Sequence, residues 1–154
     1  MIHSMKCVMA LAGATVLGAC SGAGGEVVST STDDLGKTKY HYEPTVEDVT
    51  FNAGCGVVTT QQTDCSYGFE MKYQKDYVDL TTTVTHTTSE SSHTIDVTVD
   101  TWSHSKVHPM VVVGPQIDDL GVLGAKAGET YEVRVYDRDH VKLWSGKVAT
   151  TFHM

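Results

Sequence analysis

The chain predicts an all-β protein, a single antiparallel β-sandwich of about seven to eight strands. Three observations point there. Apolar and polar residues alternate with period two through most of the sequence after residue 40, the pattern of strands with one buried face. Thr, Val and Tyr are frequent, and these residues suit a pleated, half-buried surface. No stretch carries the i, i+3, i+4 apolar periodicity of a long helix, and turn residues recur at sandwich-like intervals.

The first twenty residues, MIHSMKCVMALAGATVLGAC, stand apart. Lys6 gives a positive start, and residues 8–17 form an uncharged apolar run. That run is about half the ~20 residues a spanning helix needs, so it reads as the core of a signal peptide, with Met5 as an alternative start. It ends in Leu17-Gly18-Ala19-Cys20, an aliphatic residue, two small residues and a cysteine. This resembles the lipobox of bacterial lipoproteins. The resemblance implies that residues 1–19 are removed and that Cys20 carries a lipid as the new N-terminus. Residues 20–39 are rich in Gly, Ser, Thr and Asp and are expected to act as a flexible tether. Residues 40–154 are expected to form the sandwich.

Within that domain, residues 46–53 and 56–61 are expected as strands, followed by the alternation Tyr67-Phe69-Met71-Tyr73. Cys7 leaves with the signal and Cys20 takes the lipid, so Cys55 and Cys65 remain as a pair in an oxidising compartment. A disulfide at the neck of this hairpin is the expectation.

The clearest element is residues 77–102, YVDLTTTVTHTTSESSHTIDVTVDTW. A loop at residues 89–92 pairs Thr88 with His93, Val84 with Val97 and Leu80 with Thr101. One face then carries Leu80, Thr82, Val84, His86, Ile95, Val97 and Val99 as core. The other carries Thr81, Thr83, Thr85, Thr87, Asp96, Thr98 and Asp100. A one-residue slip would exchange the faces, so the pattern constrains the register.

Residues 107–114 contain MVVV and are expected as a central strand, residues 115–129 as a loop, and residues 130–137 and 141–152 as a hairpin around Arg138-Asp139-His140. The segment AGETYEVRVYDRDHVKLWSGKVATTF resembles, in general style, the end of immunoglobulin-like or fibronectin-like bacterial modules. The resemblance implies a fold class and no activity.

The formal net charge is −8, and the part after residue 19 is more acidic still because Lys6 is gone. An acidic domain is repelled by phosphate backbones and anionic lipid faces, so no nucleic-acid partner is expected, and membrane contact should come from the lipid. No nucleophile elbow is present, and no set of residues is singled out for catalysis. Seven histidines follow the signal. In the expected register His86 and His93 share a face as diagonal neighbours, close enough to converge on Zn or Cu, with His104 or His108 as a distant third ligand. Asp118-Asp119 with Asp137 or Asp139 offers oxygen ligands for calcium, and solvated loop carboxylates are the simpler reading. Tyr40, Tyr42, Trp102 and Trp144 are candidate exposed aromatics at an interface, or a cover for the end of the sandwich. The threonine face is a candidate recognition surface, or an ordinary solvent face.

These readings point to a non-enzymatic lipoprotein of the bacterial envelope with no cofactor beyond its lipid. Its sandwich would bind a protein or glycan of the envelope or surface. Ser21 after the cysteine resembles the outer-membrane sorting pattern. The alternative is a histidine-based metal-binding lipoprotein.

Overall fold

The computed structural model describes residues 25–59, 62–109 and 114–151 and, of residues 54–59 and 62–66, the backbone alone. Nine strands are described: β1 (Val27–Thr32), β2 (Thr38–Tyr42), β3 (Thr45–Thr59), β4 (Gln62–Gln74), β5 (Thr81–Ser89), β6 (Thr94–Ser103), β7 (Gln116–Gly121), β8 (Thr130–Asp137) and β9 (Lys142–Ala149). They form two sheets, one of six strands and one of three ordered β3-β4-β7. Residues 17–20, which resemble a lipobox, lie outside the described residues.

In the larger sheet β6 is the hub. β5 pairs along one edge of it from Trp102 to Thr94. Its other edge is shared by two strands end to end: β2 against Thr101–Ser103 and β8 against Thr94–Val99. β1 extends β2, and β9 extends β8. The β6–β8 pair is parallel, which corrects the expectation of a wholly antiparallel sandwich. β7, between β6 and β8 in sequence, joins the other sheet, so the chain crosses over and returns in the same direction.

The core lies between the sheets. Val46, Val49, Phe69, Met71 and Tyr73 of the three-stranded sheet meet Ile95, Val97, Val99, Tyr131, Val133, Val135 and Val148 of the six-stranded one. In β6 and β8 the pattern is near-perfect alternation, as period-two strands with one wet face require.

Several expectations change. Residues 27–39, expected within the tether, form β1, the turn after it and the start of β2. That turn is built by Asp33, whose Oδ1 accepts the amides of Leu35 and Lys37 at 2.9 and 2.8 Å. Residues 46–53 and 56–61 are not two strands: β3 continues through to Thr59 in one long hairpin with β4. Residues 115–129 contain β7, which completes the smaller sheet against β4. Of the stretch expected as a central strand, Val107 is 84% exposed, and residues 110–113 lie outside the described ones.

The expected Cys55–Cys65 disulfide is also corrected. No disulfide is present among the described residues. The two positions face each other in the β3–β4 ladder, so backbone pairing closes the hairpin neck.

The β5–β6 hairpin keeps its predicted faces and changes its partners. Val84 lies opposite Val99 and Ser89 opposite Thr94, a slide of two residues. His93 is the cause: it adopts a left-handed φ of 50° and belongs to the turn, its amide meeting the Glu90 carbonyl at 3.4 Å. A two-residue slide preserves the pleat. The core face fades along β5, where Leu80 just before it is buried, Val84 is half-buried and His86 is exposed.

Candidate functional site

The polar face of the six-stranded sheet brings together polar side chains from four strands. β5 supplies Thr81, Thr83, Thr85 and Thr87. Opposite them β6 supplies Trp102, Asp100, Thr98 and Asp96. β8 aligns Arg134 with Asp96 and Tyr136 with Thr98, and β2 aligns His41 with Trp102. All of these point away from the core because their neighbours in sequence point into it.

At the junction where β2 and β8 meet end to end on β6, Asp100 falls between the two ladders. There His41, only 2% exposed, places Nδ1 2.6 Å from Asp100 Oδ1 and Nε2 2.7 Å from Ser31 Oγ. Arg138, just beyond β8, also reaches Nε2 with its Nη1. A guanidinium only donates. Nε2 must therefore be the acceptor, and the ring proton sits on Nδ1, donated to Asp100. The order serine, histidine, aspartate is the one used for acyl transfer. Here the imidazole lone pair already faces a permanent donor, so Ser31 is held in place rather than activated. Through the ring the cluster joins three strands and one turn that are distant in sequence.

Beside it lies a recess of about 470 Å³ lined by Thr85, His86, Thr87, Asp96, Thr98, Tyr136 and His140. Asp96 is oriented by Arg134, whose Nε and Nη2 donate to its two oxygens at 2.7 and 3.0 Å. The same pair holds Arg134 above its ordinary value and firmly charged. His140 takes a left-handed φ of 63° in the β8–β9 turn and brings its ring within 6.4 Å of Tyr136. The recess thus offers an aromatic ring, one fixed carboxylate, three threonine hydroxyls and the His140 imidazole, a set able to exchange hydrogen bonds in both directions.

The other described histidines are tied to carboxylates. His108, with a side chain only 1% exposed, lies 2.9 Å from Asp79, 2.7 Å from the Tyr42 hydroxyl and stacks on Tyr77 at 4.1 Å. Burial, with Tyr77 and Asp79 nearby, pushes the Tyr42 phenol upward. His104 bridges the Thr38 carbonyl and Asp33. His93 meets Glu129 at 3.1 Å and packs on Tyr131. Asp33 itself is held below the usual carboxylate range, first by the Lys37 amide, then by Leu35 and His104 against the opposing effect of burial.

The predicted metal ligands do not converge as expected. His86 lies opposite Val97, with Ile95 and Val99 diagonal to it, while His93 turns toward Glu129. Among the described residues no group of three or more His, Cys, Asp or Glu is placed to hold a metal ion. Asp118 accepts from Tyr73 and Asp119 from the Gly121 amide in the smaller sheet, apart from Asp137, which caps the β8–β9 turn through the Val141 amide. Tyr42 is buried rather than exposed, Trp102 lies under the Lys39 ammonium at 3.9 Å, and Trp144 packs against the core.

Sequence reading missed Ser31, His41, Asp100 and Arg138 as a group because they lie in four separate segments. The only signal was weak: His41 is flanked by aromatics, and Asp100 interrupts a threonine row. No protein-family model matches the chain, and no curated protein or solved structure matches it either.

Proposed function

We propose that this protein is a non-enzymatic, lipid-anchored binding module of the bacterial envelope, and that its polar sheet face takes an envelope polysaccharide. The observation that carries the reading is the composition of the recess. Tyr136 gives a ring for a sugar face, and Asp96 gives an acceptor fixed by Arg134. Thr85, Thr87 and Thr98 give hydroxyls of either polarity. Such a pattern suits a neutral polyhydroxylated ligand, and the acidic net charge disfavours an anionic one. The anchor rests on the lipobox-like residues 17–20, and the outer membrane is its proposed address. The fold that accompanies this reading is an immunoglobulin-like sandwich whose larger sheet has acquired the parallel β6–β8 pair.

The test is sedimentation of the membrane-extracted chain with purified cell-wall polysaccharide from its own host, beside a Tyr136→Ala variant. The expected result is binding by the unsubstituted chain that falls at least tenfold, about 1.4 kcal/mol, in the variant. A Cys20→Ser variant should move from the membrane to the soluble fraction. No binding to the polysaccharide, or a Tyr136→Ala variant that binds equally well, would remove the glycan reading in favour of a protein partner or none.

A further inference from the structure

The five edge strands of this protein are not alike. Among the described residues β1, β5 and β9 bound the six-stranded sheet, and β3 and β7 bound the smaller one. In four of these the register breaks with an extra residue on the edge strand itself. β1 gains Val28 between Val27 and Ser29. β3 gains Glu47 between Val46 and Asp48. β7 gains Leu120 between Asp119 and Gly121. β9 gains Leu143 between Lys142 and Trp144. Bulges of this kind twist an edge away from further pairing, and charges on an edge do the same. β3, β7 and β9 carry those too, as Glu47 and Asp48, Asp118 and Asp119, and Lys142 and Lys147.

β5 has neither device. Its nine residues pair with β6 without a break in register. Its sequence, TTTVTHTTS, contains no Lys, Arg, Asp, Glu, Pro or Gly. Alternate residues of an antiparallel strand turn their N–H and C=O groups away from the neighbour, and among the described residues no hydrogen bond reaches the backbone of Thr81–Ser89 from the side away from β6. Thr81, Thr83, Thr85 and Thr87 are all exposed.

We infer that β5 is a self-association edge, and that two copies of this chain pair β5 to β5 antiparallel about a two-fold axis at Thr85. The strand's own sequence selects a second copy as the occupant. Reversed about Thr85, it matches itself: Thr83 faces Thr87, Thr82 faces Thr88, Thr81 faces Ser89 and Val84 faces His86. Hydroxyl–hydroxyl pairs dominate and no like charges are opposed, which is what favours cross-strand pairs. A protein of net charge −8 would otherwise repel its copy. Here the closest approach runs along its uncharged strand. The interface is isologous and closes at two copies, joining two six-stranded sheets into one continuous layer. Because Thr85 and Thr87 also line the recess, the dimer would set two recesses side by side on one face, an arrangement that raises avidity for a repetitive ligand.

The experiment uses the full chain extracted in mild detergent, and it reads mass by native mass spectrometry and by oxidative crosslinking. Expected are a dimer for the unsubstituted chain and a dimer population at least tenfold lower for Thr85→Lys, which opposes two ammonium groups at the axis. A Thr85→Cys chain should crosslink to its copy far above the baseline of the unsubstituted chain with its own cysteines, and Thr81→Cys should not. The crosslink does not depend on Thr85→Lys folding, so the two readouts stand separately. A monomer at all concentrations, or a dimer that survives Thr85→Lys without a Thr85→Cys crosslink, would overturn the inference. The glycan assay above is independent: a monomer that still binds polysaccharide refutes the dimer alone.

Discussion

At the scale of single residues, the His41 cluster shows how burial converts a polar group into a structural requirement. His41 donates Nδ1–H to Asp100 from a site shielded from water. Truncating Asp100 to Ala leaves that buried donor without an acceptor. A buried group left unpaired costs about 1–3 kcal/mol. Asp100→Ala is therefore expected to lower the unfolding free energy by that amount, read as a lower urea midpoint with an unchanged slope. The neighbouring Ser29 is the natural control. It sits opposite His41 in the β1–β2 register, and its buried Oγ has no hydrogen-bond partner among the described residues. Ser29→Ala should leave the midpoint where it is or raise it. Equal losses in the two variants would show that the site responds to volume rather than to the hydrogen-bond chain. None of this was legible in the sequence. Ser31, His41, Asp100 and Arg138 meet only because β2 and β8 share one edge of β6, and strand order is not written in local periodicity.

At the scale of elements, legibility follows how far a strand is wetted on one face. β8 alternates throughout and β6 as far as Thr101, and both were readable residue by residue. The faces of the β5–β6 hairpin were readable for the same reason, whereas its register was not. The faces depend on the pleat, but the register depends on whether His93 belongs to the strand or the turn, and a left-handed histidine leaves little trace in composition. β7 was hidden because Asp118 and Asp119 look like loop residues until β4 is seen beside them. The packing of that strand exposes a further dependence on sequence. Gly68 of β4 is buried, and a Cβ added there would come within 3.0 Å of the backbone carbonyl carbon and oxygen of Gly121, at the end of β7. Neither is the movable end of a side chain, so the strands themselves must separate. Gly68→Ala is expected to destabilise by about 1–3 kcal/mol, the usual cost of overpacking, and to deprotect the β4–β7 amides in hydrogen exchange before those of β6 and β8. Uniform deprotection would mean that the smaller sheet does not open on its own.

At the scale of the whole molecule, two sheets bury their tyrosines at three separated points of the fold, and this sets the alkaline limit of stability. Tyr73, 2% exposed in the core, holds its hydroxyl between Thr82 and Asp118 at 3.1 and 3.0 Å. Burial pushes its phenol upward, the Thr82 hydrogen bond opposes this and Asp118 adds to it. Tyr42 is raised by burial at the β2 end. Tyr131 is raised overall: the Lys126 amide works against the shift, while burial and Glu129 outweigh it. A group whose folded-state value lies above its unfolded one binds its proton more tightly when folded. Its contribution is complete below the ordinary tyrosine value of about 10 and is lost as pH rises through the folded value. The three act in the same direction, one in the core between the sheets, one beside β1 and one beside the β5–β6 turn, so their losses fall on one cooperative unit. Tyr42, Tyr73 and Tyr131 should ionise only together with the loss of the near-ultraviolet circular dichroism signal, so that their tyrosinate step coincides with unfolding. A single smooth step with the circular dichroism intact beyond it would mean that solvent reaches the core hydroxyls without the sheets parting, and the two-sheet body would have to be far looser than its packing implies.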